Sequence, residues 1–176
     1  MRHRTSTIIA VSLAVILAVL VIWRMSGSDP RTFVSGDDAG ARVSASTFSY
    51  EKTNLSFSYE KGYSARLMED QDVDIIVIQS KSDASKGIQI SVLPFDGEPS
   101  ELSFQKIQAD IPDMVIGKPQ AGVLPFGSDA LSFEAGDGSL KTREVWFVRA
   151  GYLYQMSAPV SSGGLIEPLI GTMTFE

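Results

Sequence analysis

Cysteine is absent from the 176-residue chain, and its one histidine is His3. Without cysteine the protein can form neither a disulfide nor a thiolate metal site, and it has no cysteine nucleophile. Because His3 precedes the first hydrophobic run, the body of the chain also lacks an imidazole base and a histidine zinc ligand. These absences exclude Ser-His-Asp catalysis and histidine-based metal sites from the body of the protein.

Positive charge is also scarce after the N-terminus. Residues 31–176 contain 12 Lys and Arg against 20 Asp and Glu, which gives this part of the chain a formal charge of −8. Proteins that bind a phosphate backbone draw most of their affinity from clustered Lys and Arg, and the sequence contains no such cluster. We therefore expect no nucleic-acid partner.

The N-terminal region contains one long apolar run, Ile8–Trp23, in which Ser12 is the only polar residue. Together with residues 5–7 it makes nineteen residues. At ~1.5 Å per residue, a helix of that length measures about 28 Å, which is close to the ~30 Å hydrocarbon core of a bilayer. The sequence therefore predicts a transmembrane helix over residues 8–24, with the membrane as a partner through Ile8–Trp23.

Charges on either side of this run indicate its orientation. Arg2 and Arg4 precede the run and Arg24 follows it, and a long acidic domain comes after it. This pattern favours a cytoplasmic segment over residues 1–7 and a translocated C-terminal part. The alternative is a cleaved signal peptide, but its apolar region would be shorter, about 7 to 15 residues.

The next segment, residues 25–46, is rich in Gly, Ser, Asp and Ala and has no apolar periodicity, so we expect a flexible linker. Residues 47–176 form the predicted extracytoplasmic domain. Alternating apolar residues and turn residues predict its strands, at 55–59, 63–67, 73–79, 87–93, 122–126, 130–135, 141–149, 152–158 and 172–175. Since turns connect most of them, we expect an α+β fold with a largely antiparallel central sheet covered by a few helices.

Two helices are predicted. Residues 100–111 place Phe104, Ile107 and Ile111 on one helical face, with Ser100 as the N-cap and Pro112 as the stop. A shorter helix is expected over residues 164–170.

The most aromatic segment is TREVWFVRAGYLYQMSAP, residues 142–159. Apolar side chains fall on both faces of its two predicted strands, which Ala150 and Gly151 connect. A central hairpin in the core is the preferred interpretation, with a ligand-binding platform as the alternative.

Parts of the sequence resemble a known family. The segment LSFSYEKGYS (residues 55–64) resembles the aromatic strand-turn-aromatic entry of PsbP-like domains, the fold of the extrinsic oxygen-evolving subunit of photosystem II. The closing hairpin with GYLYQMSAP, the short helix and the final MTF also resemble that family. Glu60 departs from it, since such turns usually carry proline. The resemblance implies an antiparallel sheet between helical layers and a non-enzymatic binding or assembly role, and it implies no site residue.

Three short motifs are candidate sites. Asp70, Asp72 and Asp74 have the D-x-D-x-D spacing that begins a calcium loop. The loop should continue with Gly and end with Glu, but Ile75 and Lys81 stand at those positions, so a solvated acidic turn is favoured.

Two serine-lysine pairs have the S-x-x-K spacing by which a lysine can activate a serine: Ser49 with Lys52, and Ser103 with Lys106. The motifs that normally accompany this pair in enzymes are missing, and a helix surface explains the second pair.

The third motif is residues 161–164, SSGG, which precede the last predicted helix and offer free backbone N–H groups to an anion. A loop at a helix start is the ordinary interpretation, unless Arg143 or Arg149 approaches it.

We therefore expect a single-pass membrane protein with a non-catalytic, extracytoplasmic PsbP-like domain that binds a protein partner in an envelope complex. No catalytic, cofactor or metal residue is assigned. The alternatives are a small-molecule or calcium-binding domain, and an enzyme that uses carboxylates or a Ser-Lys pair.

Overall fold

The computed structural model describes residues 45–69, 72–136 and 141–176. The predicted cytoplasmic segment, the transmembrane helix over 8–24 and residues 25–44 of the predicted linker lie outside this range. No helix within the described ranges has the length and apolar character needed to cross a bilayer.

The described residues contain strands in two antiparallel sheets and two short α-helices. The strands are β1 (Ala45–Tyr50), β2 (Leu55–Glu60), β3 (Tyr63–Glu69), β4 (Asp74–Ser80), β5 (Gly87–Pro94), β6 (Val115–Val123), β7 (Asp129–Gly136), β8 (Lys141–Arg149), β9 (Tyr152–Pro159) and β10 (Thr174–Phe175). The α-helices are α1 (Phe104–Asp110) and α2 (Ile166–Ile170), and 3-10 turns cover Glu51–Thr53, Pro99–Glu101 and Val160–Leu165.

Seven strands form the large sheet, in the order β3-β4-β5-β9-β8-β7-β6, and three form the small sheet, in the order β1-β2-β10. All neighbouring strands run antiparallel. The predicted α+β fold with a largely antiparallel sheet is confirmed. One covering layer differs from the expected helical layer, because the small sheet and α2 cover that face together.

The segment between residues 55 and 69 shows why the sequence pattern does not predict the small sheet. The sequence predicts a strand, a tight turn and a strand, and both strands are present. They do not pair with each other, because β2 belongs to the small sheet and β3 to the large one. The turn is held to the large sheet, where Lys81 N donates to Gly62 O at 2.9 Å. Alternation reveals a strand but does not reveal which strand it pairs with.

The hairpin β8–β9 lies at the centre of the large sheet. Ala150 and Gly151, with φ of 50° and 78°, form its two-residue turn, and positive φ at both positions matches the twist of antiparallel strands. Trp146, Phe147 and Tyr154 are each 0% exposed. The prediction that this hairpin belongs to the core is confirmed.

The two faces of the hairpin pack against different layers. On one face Phe147 stacks on Tyr154, with ring centroids 4.8 Å apart, and this face belongs to the same buried cluster as β2 and α2. On the other face Trp146 contacts Phe133 edge-on at 5.4 Å, and Phe133 contacts Phe104 of α1 at 5.9 Å. The large sheet is therefore covered on both sides.

Helix α1 begins later than predicted, and Ser100 is not its N-cap. Ser100 lies inside the separate 3-10 turn Pro99–Glu101, which is capped by a capping box between Glu98 and Glu101. The chain is then extended at Ser103, whose hydroxyl accepts a hydrogen bond from Lys106 N at 3.2 Å. Ser103 is therefore the N-cap, because only an extended residue directly before the first helical turn can satisfy its free N–H groups.

The largest error in the predicted strands concerns β6. The sequence predicts a strand over residues 122–126, but β6 covers Val115–Val123. Pro119 interrupts the pattern, and Lys118 has a φ of 49° at a bulge between Gly117 and Gln120. Proline and bulges are tolerated in edge strands, and β6 is an edge strand of the large sheet.

Candidate functional site

A concavity lies between α1 and β6 in the described residues. It is a groove of about 570 Å³. Its lining is Phe104, Gln105, Gln108, Ala109, Ile116 and Pro119. Phe104 and Gln108 are four residues apart, and so are Gln105 and Ala109. The four helical residues therefore lie on one side of α1. We call this concavity the α1–β6 groove.

The bulge of β6 shapes the far wall of the α1–β6 groove. Gly117 and Gln120 both pair with β7, and Lys118 and Pro119 lie between them outside the regular register. Lys118 Nζ lies 2.7 Å from Glu134 Oε1, so its charge is directed to β7. Pro119 therefore contributes an apolar ring, without an N–H, to the wall of the groove.

The outer side of β6 is an exposed sheet edge. β6 ends the seven-stranded order, and no described strand pairs with its outer side. None of its residues is buried, and Val115 and Val123 are 68% and 70% exposed. Such an edge is open to a further extended segment, although the bulge and Pro119 restrict pairing in its middle.

The groove has the chemistry of a contact surface. Its lining combines apolar groups with the neutral amides of Gln105 and Gln108, and it includes no carboxylate, lysine or arginine. One amide is already engaged, because Gln108 Nε2 donates to Pro112 O at 3.0 Å and to Met114 O at 3.2 Å. The lining can bury an apolar side chain and hydrogen-bond a backbone, but it offers no acid or base.

The predicted acidic turn is only partly within the described residues. Asp70 lies outside them, and Asp72 is exposed. Asp74 is 3% exposed, and its Oδ2 accepts hydrogen bonds from the Tyr50 hydroxyl and from Lys52 Nζ, the latter at 2.7 Å. Asp74 therefore connects the small sheet to β4 and does not face solvent. In the described ranges, no group of three or more acidic or histidine side chains is placed to hold a metal ion.

The contacts of Asp74 also show whether Lys52 can act as a base for Ser49. The hydrogen bond to Asp74 raises the pKa of Lys52, and a lysine base would need a lowered pKa. Burial, and then the hydrogen bond to Asp74, raises the pKa of Tyr50 as well. Ser49 and Lys52 are therefore not brought together as a nucleophile and its base.

The second serine-lysine pair has a structural role. The Ser103 hydroxyl caps α1, and Lys106 Nζ lies 3.2 Å from Asp110 Oδ2, one helical turn further along. The structure does not direct this lysine to the serine.

The SSGG segment forms part of the 3-10 turn Val160–Leu165 and packs on β8. A Cβ built on Gly163 would lie 2.8 Å from Arg143 Cβ, so glycine is required there by close approach. Arg143 does reach this segment, as the sequence allowed, but its Nη2 lies 3.3 Å from Glu167 Oε1. Helix α2 has five residues, which is too short to make its N-terminus an anion site.

Arg149 lies elsewhere. Its Nη1 donates to Phe126 O at 2.9 Å, and its guanidinium lies 4.7 Å from the centre of the Phe175 ring. It therefore fixes the C-terminal strand by a cation–π contact, and it does not approach residues 161–164.

One buried group was missed by the sequence analysis. Glu144 is 1% exposed, and it accepts hydrogen bonds from Trp146 Nε1 at 3.0 Å and from the Ser157 hydroxyl at 2.7 Å. Burial raises the pKa of this carboxyl, and hydrogen bonds from Ser157, Thr142 and Trp146 oppose that rise. The sequence did carry an indication, because Glu144 is two residues from Trp146 and therefore shares its face of the strand.

No protein-family model matches the sequence, and no curated protein matches it. A solved structure does match: the solution structure of cyanobacterial PsbP (CyanoP) from Synechocystis sp. PCC 6803, with a TM-score of 0.53. The alignment covers 80% of this chain and 98% of that chain, with 14% sequence identity. The domain therefore has a PsbP-like fold. At this identity the likeness establishes the fold and no activity.

Proposed function

We propose that the protein is a membrane-anchored, extracytoplasmic binding module that assembles with a protein partner in an envelope complex. Residues 8–24 would anchor it and the PsbP-like domain would bind. The observation that carries this proposal is the α1–β6 groove, an apolar and uncharged concavity beside an exposed sheet edge.

The chemistry of the groove indicates the kind of partner. An apolar side chain of the partner would fill the space between Phe104 and Ile116, and an extended backbone would lie along the open edge of β6. Because the lining has no charged group, the segment that binds should be apolar and uncharged as well. We therefore propose an extended, apolar protein segment as the occupant.

The engagement of the candidate reactive groups supports a non-catalytic role. Lys52 is bound to Asp74, Lys106 to Asp110, and the Ser103 hydroxyl to the start of α1. None of these groups lines the groove. The PsbP-like fold supports the same role, because its members are mostly binding and assembly modules.

Capture from native membranes tests the proposal. The full-length chain should be recovered in the membrane fraction together with a specific protein. Ala109→Glu places a charge in the groove and should reduce recovery of that protein at least tenfold. Ala84→Glu is the matched control, because it makes the same change at an exposed position in the turn between β4 and β5. Equal recovery with both variants, at equal protein stability, would rule out the groove as the binding surface.

A small apolar ligand is a second candidate. A volume of about 570 Å³ lies within the ~300 to 1,000 Å³ range of ligand sites. Ligand-dependent stabilisation of the full-length chain that Ala109→Glu abolishes, without capture of any protein, would favour this second candidate.

A further inference from the structure

One ionisable side chain lies inside the domain without a charged partner. Glu144, in the middle of β8, is almost completely buried, and its oxygens contact Trp146 Nε1 and the Ser157 hydroxyl. An ionised carboxylate in such a place must give up its hydration without a counter-ion to replace it. The protonated acid avoids that cost, because it carries no charge.

The side chains around Glu144 are uncharged. On the same face, the neighbouring strands place near it only neutral residues: Phe133, Gln89, Ser91, Gln155 and Ser157. The charged residues of α1, Lys106 and Asp110, pair with each other at 3.2 Å. In the 3-10 turn Pro99–Glu101, which also packs on β8, Glu101 is exposed and accepts a hydrogen bond from Glu98 N. No charge among them compensates an ionised Glu144.

The hydrogen-bond geometry accommodates the protonated acid as well as the ionised one. An indole N–H can only donate, so Oε2, at 3.0 Å from Trp146 Nε1, must be the accepting oxygen. Ser157 Oγ lies 2.7 Å from Oε1 and donates to it when the carboxylate is ionised. A serine hydroxyl can also accept a hydrogen bond. When Oε1 carries a proton, this hydrogen bond reverses its direction, and both oxygens of the neutral acid are still satisfied.

Contacts connect this acid to helix α1. Trp146, which donates to Glu144, packs edge-on against Phe133 at 5.4 Å, and Phe133 packs against Phe104 of α1 at 5.9 Å. Trp146 therefore joins Glu144 to the contact between α1 and the sheet.

We propose that Glu144 is a buried proton site that links the stability of the domain to pH: the folded domain holds a proton on Oε1 that exposed glutamates have already lost, and loss of that proton as pH rises further loosens α1 from the sheet. The proposal concerns the folded domain alone and does not depend on the binding function.

The direction of the pH dependence follows from proton linkage. The unfolded chain loses the glutamate proton near a pKa of about 4.3, and burial raises the pKa of Glu144 in the folded state. Between these two values the folded state binds more protons than the unfolded state, so its stability falls as pH rises. The contribution of Glu144 is complete below the unfolded pKa and is lost as pH passes through the folded pKa.

Urea unfolding of the full-length chain in detergent, from pH 5 to 9, tests this linkage. In a Trp23→Phe background Trp146 is the only tryptophan, and its fluorescence reports on the site. For the wild type, the unfolding constant should rise by up to about tenfold per pH unit within the window. Glu144→Gln should lack this rise, and Glu60→Gln, at an exposed position, should retain it. Parallel curves for Glu144→Gln and the wild type would overturn the proposal.

A second measurement needs no substitution in the site and so covers the case in which Glu144→Gln fails to fold. Infrared spectroscopy of the wild-type chain with isotope-labelled glutamate, recorded from pH 4 to 9, should show a protonated carboxyl band that persists after the exposed glutamates have ionised near a pKa of about 4.3. The band should disappear as pH rises further, together with a change in Trp146 fluorescence. Loss of every protonated carboxyl together with the exposed glutamates would overturn the proposal.

Discussion

The hairpin β8–β9 and the edge strand β6 belong to the same sheet, yet they differ in almost every physical respect. In the hairpin, Trp146, Phe147 and Tyr154 are fully buried on two opposite faces. In β6 no residue is buried, the register is broken by a bulge, and two valines face solvent. The hairpin therefore holds the domain together, and β6 with α1 leaves a surface that packing does not use.

Within this one sheet, we expect the hairpin β8–β9 to determine the stability of the domain and the α1–β6 groove to determine binding. Side chains of the hairpin are fixed by neighbours on both faces, so substitution there should change folding. Gln105 and Ala109 of the α1–β6 groove are exposed, so substitution at these two positions should change binding and leave folding almost intact.

The largest effect is expected at the centre of the hairpin. Phe147→Ala removes a fully buried ring that stacks on Tyr154 at 4.8 Å. The free energy of unfolding should fall by about 3–5 kcal/mol, from lost burial and from the cavity left behind. Urea unfolding followed by circular dichroism measures the change. A loss below about 1 kcal/mol would mean that the hairpin is not the stabilising centre of the domain.

An intermediate effect is expected where the SSGG segment packs on β8. Gly163→Ala should destabilise the domain by about 1–3 kcal/mol, because the added methyl group overlaps the stem of Arg143. Gly164→Ala is the matched control, since a Cβ built there meets no atom within 4 Å. Thermal unfolding of the two variants gives the comparison. Equal melting temperatures would show that the segment is not closely packed on the hairpin.

The smallest effect is expected in β6. Val123→Thr keeps the shape of the side chain and should change the free energy of unfolding by no more than about 0.5 kcal/mol, because Val123 is 70% exposed. The same substitution in β8, Val145→Thr, buries a hydroxyl at a 4% exposed position and should cost about 1–3 kcal/mol. Denaturant unfolding of this pair compares the two strands directly. Similar losses at both positions would remove the contrast between them.

The hairpin could be predicted from the sequence because its information is local. Apolar residues lie on both faces of residues 145–148 and 152–154, and Ala150 with Gly151 provides the turn. Strand β6 was predicted poorly for the opposite reason. Its residues are exposed, so they carry no apolar alternation, and Pro119 is tolerated only because the strand lies at an edge, which is a property of the whole sheet.

Features that depend on contacts between distant parts of the chain also could not be predicted from local sequence patterns. The strand β1 is mostly polar and is recognised only through its pairing with β2. Asp74 has the spacing of a calcium ligand, but Tyr50 and Lys52 reach it across the two sheets. The α1–β6 groove combines residues from a helix and a strand that have no shared motif, so no local pattern indicates it.

Site-specific photo-cross-linking in native membranes tests the central claim most directly. A photo-reactive residue at Gln105 of the full-length chain lies on the exposed helical wall of the α1–β6 groove. A second probe at Ala84 lies in the exposed turn between β4 and β5. We predict that one defined protein is cross-linked from Gln105 and not from Ala84. Cross-linking of no protein from Gln105, or of the same proteins from both positions, would contradict the assignment of this groove as the binding surface.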